Sequence, residues 1–120
     1  MFDGANMTIP VSQMDRAVAF YTGVLEFVLK RRIGTRFAML EHPGLNLLLQ
    51  ERSDAQAVTT APRAGAIGLW VKDIDEARRM IEARGAIMEG ETVDLPEWKI
   101  AFLSDPDGTP IYIAQLALKR

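Results

Sequence analysis

The chain has 120 residues, 48% of them apolar and 25% charged, which is enough for one packed core and too little for two independent ones. A formal charge of −2 supplies no basic field to draw in a polyanion, so nucleic acid is not an expected partner. The chain has no cysteine, no apolar run near the ~20 residues that span a bilayer and no leader-like N-terminus; the expectation is a cytoplasmic protein with no disulfide, no thiolate chemistry and no membrane partner.

Residues Met7 to Val11 alternate as a strand does, with Met7, Ile9 and Val11 on one face. Pro10 cannot donate to a ladder and so belongs at an edge. Ser12-Gln13-Met14-Asp15 has the form of a capping box, after which Met14, Ala17, Val18, Tyr21 and Leu25 make a helical apolar stripe that Gly23 stops. Phe27 to Arg32, Arg36 to Glu41 and Leu45 to Glu51 read as strands, separated by the turn signals Ile33-Gly34-Thr35 and His42-Pro43-Gly44. Arg52 to Arg63 is small and polar and carries a proline, as a linker does.

The order then repeats. Ala66 to Val71 predicts a strand, Asp73 with Glu76 caps a helix, and Arg84-Gly85 ends it with a cation and a glycine. Ile87-Met88, Glu97 to Leu103 and Thr109 to Leu116 supply three more strands, the last two joined by Asp105-Pro106-Asp107-Gly108. Glu89, Glu91, Asp94 and Glu97 make an acidic stretch across the intervening loop, and Arg78 and Arg79 fall on the exposed face of the second helix. Shifting the chain by 60 positions lays Met7, Ile9, Val11, Met14, Asp15 and Ala17 over Ile67, Leu69, Val71, Ile74, Asp75 and Ala77. A shift of 64 lays the end of the first half over the end of the second, so the chain is built twice.

A tandem strand-helix-three-strand unit, with a Val-x-x-Met-Asp-Arg-Ala-x-x-Phe-Tyr start and an Asp-Pro-Asp-Gly turn before the last strand, resembles the vicinal oxygen chelate superfamily. That superfamily includes glyoxalase I, extradiol dioxygenases, fosfomycin-resistance enzymes and bleomycin-resistance proteins. The resemblance implies an α+β fold of two βαβββ modules whose mixed sheets curl into a cup with helices outside. Module one covers about 5–51, the linker about 52–63 and module two about 64–117, all within a single domain of residues 1–120 that commonly assembles as a homodimer.

The family's enzymes hold a divalent metal through His and Glu on the first and last strands of each module. The positions that match are Asn6, Ala66, Tyr112 and Leu48, with Asn46 as the other registration of the fourth. None is a histidine or a carboxylate, and Ala66 and Leu48 carry no donor atom at all, so no metal and no other cofactor is expected. His42, the single histidine, stands alone in a Pro-Gly turn and reads as a solvated turn residue.

Strand alternation sends Asn6, Thr8, Asn46, Leu48, Gln50, Ala66, Gly68, Trp70, Pro110, Tyr112 and Ala114 to the cup face and an almost wholly aliphatic set to the helix face. Apolar walls with a few fixed polar groups describe a small-molecule pocket. The expected ligand contacts are Asn6, Thr8, Asn46, Leu48, Gln50, Gly68, Trp70, Trp98 and Tyr112, the aromatics offering flat surfaces for stacking. Trp70 and Trp98 are equally natural as interface residues. No pair of inward carboxylates is found for acid-base work, and no catalytic residue is assigned.

The leading expectation is therefore a metal-free small-molecule-binding protein similar to bleomycin-resistance proteins, which sequesters a partly aromatic ligand without making or breaking a bond. Two alternatives stand beside it. One is a divalent-metal-dependent enzyme of the glyoxalase or dioxygenase type with an atypical site, and the other an interaction module with a filled cup.

Overall fold

The computed structural model describes residues 1–52 and 67–116. They form two compact units, one in each span. The expected linker lies outside the described residues beyond Arg52, as does Ala66.

The first unit runs β1 (Met7–Val11), α1 (Met14–Gly23), β2 (Val28–Ile33), β3 (Phe37–His42) and β4 (Leu45–Glu51). Its sheet has the order β1-β4-β3-β2. β1 lies parallel to β4, with Thr8 opposite Leu48 and Pro10 opposite Gln50, while the other pairs are antiparallel. Pro10 does sit on an edge strand, where its missing N–H breaks no ladder.

The helix-side face buries Ile9, Val11, Ala38, Leu40, Leu47 and Leu49 against α1 residues Met14, Ala17 and Tyr21. Each large side chain so covered contributes about 1.5–3 kcal/mol. Tyr21 is fully enclosed, with Phe20 and Phe27 edge-on to its ring at 5.3 and 5.8 Å between centroids.

The start of α1 differs from the expected capping box. Gln13 occupies the cap position without a side-chain cap bond, and the Ser12 hydroxyl instead accepts from Arg16 Nη2 at 2.9 Å. Ser12 stands one residue before the cap position. The Met14 N–H is satisfied from the far end of the module, by Glu51 Oε2 at 2.7 Å.

The second unit runs β5 (Ile67–Trp70), α2 (Ile74–Ala83), β6 (Met88–Asp94), β7 (Trp98–Ser104) and β8 (Pro110–Leu116), with the sheet order β5-β8-β7-β6. Here the expected cap is present: Asp73 Oδ1 accepts from Glu76 N at 3.1 Å. Gln115 Oε1 also accepts from Ile74 N at 2.9 Å, the counterpart of the Glu51 bond. Ile67, Ile111, Ile113, Ala101 and Leu103 meet Ile74 and Ile81 in this unit's core.

Two further expectations are corrected in this unit. Glu89, Glu91 and Asp94 lie on strand β6 and not in a loop, because Met88–Asp94 pairs with β7 through an irregularity between Glu89 and Val93, at which Gly90 takes φ +68°. Arg78 is half-buried, its guanidinium donating to Gly90 O at 2.9 Å and Thr92 Oγ1 at 3.3 Å, so it holds that irregular stretch of β6 while Arg79 stays exposed.

The Asp105-Pro106-Asp107-Gly108 turn is tied by its own first residue. Asp105 is buried, and its Oδ1 accepts from Asp107 N and Thr109 N, both at 2.8 Å.

Candidate functional site

Each sheet has one face under a helix and one open face, and register assigns residues to the open faces row by row. In the first unit one row is Thr8, Leu48, Met39 and Arg31, and the next is Pro10, Gln50, Phe37 and Ile33. Asn46 shares a third row with Glu41 and Val28. The strand alternation thus brings Thr8, Asn46, Leu48 and Gln50 to one open face, with Asn6 directly before β1.

Two concavities lie on this unit. One, of about 320 Å³, is lined by Arg31, Ile33, Phe37, Met39 and Leu48. The other, of about 550 Å³, wraps the β3–β4 turn, where Asn6, Glu41 and Asn46 meet Pro43 and Gly44. Two local bonds fix the amides: Asn6 Nδ2 donates to Thr8 Oγ1 at 3.2 Å, and Asn46 Nδ2 to Ala5 O at 3.0 Å. His42 is the last residue of β3 and half-buried, its ring 5.4 Å from that of Phe27, so it is a packed strand residue rather than a solvated turn.

In the second unit one row is Gly68, Tyr112, Phe102 and Glu89, and the next is Trp70, Ala114, Ile100 and Val93. Trp98 pairs with Leu116 in a further row on the same side of β7. Gly68, Trp70, Trp98 and Tyr112 accordingly share one open face. Trp70 is 79% exposed, while Trp98 and Tyr112 are half-buried.

The Tyr112 ring lies across Gly68. A Cβ at Gly68 would stand 2.7 Å from ring atom Cε2 and nearer still to Cζ and the hydroxyl oxygen. Gly68 is thus the seat of the phenol, a close approach that no side chain permits.

Arg31, Ile33, Phe37, Met39, Ile100 and Phe102 belong to the open faces and were not among the expected contacts. A signal for Phe37 and Met39 was present: carrying alternation back across the two-residue Pro43-Gly44 turn, where Gly44 has φ +90°, pairs Met39 with Leu48. Arg31 had no such signal, because an irregularity between Leu29 and Arg31 shifts the face it occupies.

The family's metal does not fit these residues. Leu48 ends in methyl groups between Thr8 and Met39, and Tyr112 directs its phenol over Gly68. Among the described residues no three His, Cys, Asp or Glu side chains gather as a metal site would require. No helix among them is long and apolar enough to cross a membrane.

A family model described as the Glyoxalase/Bleomycin resistance protein/Dioxygenase superfamily matches residues 5–113. Similar solved structures include TioX from Micromonospora sp. ML1, at 26% identity and a TM-score of 0.72 over 94% of this chain and 99% of that one. TnmS3, an antibiotic binding protein from Streptomyces sp. CB03234, gives 24% identity and a TM-score of 0.73 over 98% and 99%. A glyoxalase/bleomycin resistance protein/dioxygenase from Nocardioides gives 23% and 0.74 over 92% and 81%. No curated protein matches the sequence. With the tandem βαβββ units in place and nearly the whole chain matched, the chain belongs to the glyoxalase/bleomycin resistance protein/dioxygenase superfamily.

Proposed function

We propose that the protein is a metal-free binder of a small, partly aromatic molecule, held by stacking and amide hydrogen bonds, and that it works as a homodimer in the cytoplasm. The observation that carries this reading is Leu48. One of the two positions that match the family's fourth metal ligand is here an aliphatic side chain, opposite Met39 in the register and lining a concavity with Ile33, Phe37, Met39 and Arg31. Such a wall desolvates a flat organic body and offers nothing to a cation.

Asn6, Thr8, Asn46 and Gln50 border that face with donors and acceptors suited to orient the ligand. On the second unit Trp70, Trp98 and Tyr112 give aromatic surface, with Gly68 clearing room for the phenol. TnmS3, of similar fold, is an antibiotic binding protein, which supports a small-molecule-binding reading.

The test is titration of tryptophan fluorescence with a panel of planar drugs and metabolites. Saturable quenching by at least one member, unchanged by EDTA, is the expected result. Absence of saturable quenching across the panel, or its loss on chelation, rejects the reading.

A further inference from the structure

The irregularity in β2 decides which side chain reaches the open face of the first sheet. Val28 pairs with Glu41 and Leu29 with Leu40, and plain alternation would then set Lys30 opposite Met39. Instead Arg31 pairs with Met39, and Lys30 is the extra residue. A bulge of this kind re-aims a side chain. Here it turns a guanidinium toward the concavity of about 320 Å³ whose other lining residues, Ile33, Phe37, Met39 and Leu48, are all apolar.

The neighbouring charges leave Arg31 alone in that role. Arg32, on the opposite face, is paired with Asp15. Arg36 stands 5.7 Å from the centroid of the Phe37 ring, which adds positive potential beside the concavity. Glu41, on the same face, lies one row away in the other concavity, and Glu51 is engaged at the Met14 amide. Among the described residues none forms a side-chain hydrogen bond or ion pair with the Arg31 guanidinium. Glu89, at the corresponding register of the second unit, is by contrast held by the Ser104 hydroxyl at 2.7 Å.

We propose that Arg31 is the residue that selects the ligand's charge, and that the ligand is a planar anion: an aromatic or conjugated carboxylate or phenolate whose flat body lies on Phe37, Met39 and Leu48. This rests on the binding function proposed above and narrows it. A guanidinium presents two parallel N–H groups that match both oxygens of a carboxylate, and the apolar floor reduces the competition from water that weakens such a pair on an open surface. A cationic ligand at this place would face Arg31 and Arg36 together.

The experiment is isothermal titration calorimetry of the full chain with three naphthalene probes of one shape: 2-naphthoate, 2-naphthylmethanol and 2-naphthylmethylammonium. The expected order is naphthoate tightest, by about tenfold over the alcohol, as one charge-assisted hydrogen bond implies. Arg31→Gln should bring naphthoate to the level of the alcohol and leave the alcohol unchanged, while Arg31→Lys keeps part of the preference. Arg31 is exposed on an edge strand, so the variants should unfold at the same urea concentration as the parent. Equal binding of the three probes, tightest binding of the ammonium, or a naphthoate preference that survives Arg31→Gln overturns this assignment and leaves the binding function standing. Failure of all three probes to bind saturably also overturns this assignment, while the binding function itself stands or falls on the wider panel above.

Discussion

Glu51, the last residue of β4, holds the first amide of α1: its Oε2 accepts from Met14 N at 2.7 Å, across 37 residues of sequence. Gln115 does the same for Ile74 in the second unit, across 41 residues. The sequence repeat therefore extends to a tertiary contact, made by a carboxylate in one copy and an amide in the other. Glu51→Ala should cost about 1–2 kcal/mol in urea unfolding, since a helix amide loses its acceptor. Glu51→Gln should recover most of that loss, because Gln115 shows that the neutral group reaches.

The seat of Tyr112 gives a paired test. Gly68→Ala drives a methyl group into the ring and should either destabilise the unit by about 1–3 kcal/mol or swing the phenol away, visible as a changed tyrosine ring environment by NMR. In a Tyr112→Ala background the same glycine change should cost markedly less, and the double-mutant cycle measures the difference as coupling between the two sites.

Asp105→Ala should destabilise the second unit by about 2–3 kcal/mol. It strips two backbone amides, of Asp107 and Thr109, of a buried acceptor and leaves the β7–β8 turn without its tie. Asp105→Asn, which keeps one oxygen in place, should cost less, and thermal unfolding monitored by circular dichroism ranks the two.

Metal should be dispensable. Elemental analysis of the purified protein is expected to find no stoichiometric zinc, nickel, manganese or iron, and dialysis against EDTA should leave the unfolding midpoint unshifted. A structural divalent ion would instead add to stability by mass action, and its removal would lower the midpoint.

The open and buried faces of β1, β4, β5 and β8 were legible from period-two alternation, because Ile9, Leu47, Leu49, Ile67, Ile111 and Ile113 are aliphatic at alternate positions and all become buried. The start of α1 was not, since its cap comes from Glu51 and no local pattern encodes a partner so far along the chain. Beyond Met88, β6 reads as a loop because Glu89–Asp94 is exposed apart from the half-buried Thr92, so it carries no apolar period to find. Arg31 was missed for a related reason: a single extra residue in β2 inverts the face of everything after it, and the sequence around Lys30 has no glycine or proline to announce the shift.

The parallel pairing of β1 with β4, and of β5 with β8, also sets an order of events during synthesis. Met7 leaves the ribosome early, yet its partner Leu47 arrives only when the whole module has emerged, an interval on the order of seconds. The hairpin of β3 and β4 can close locally and at once, whereas β1 must wait for it, and β5 must wait in turn for β8. Each module is thus sealed by its own final strand. A ribosome stalled anywhere before Glu51 displays a strand with no neighbour and a helix with no acceptor, an exposed edge for chaperones and proteases to act on.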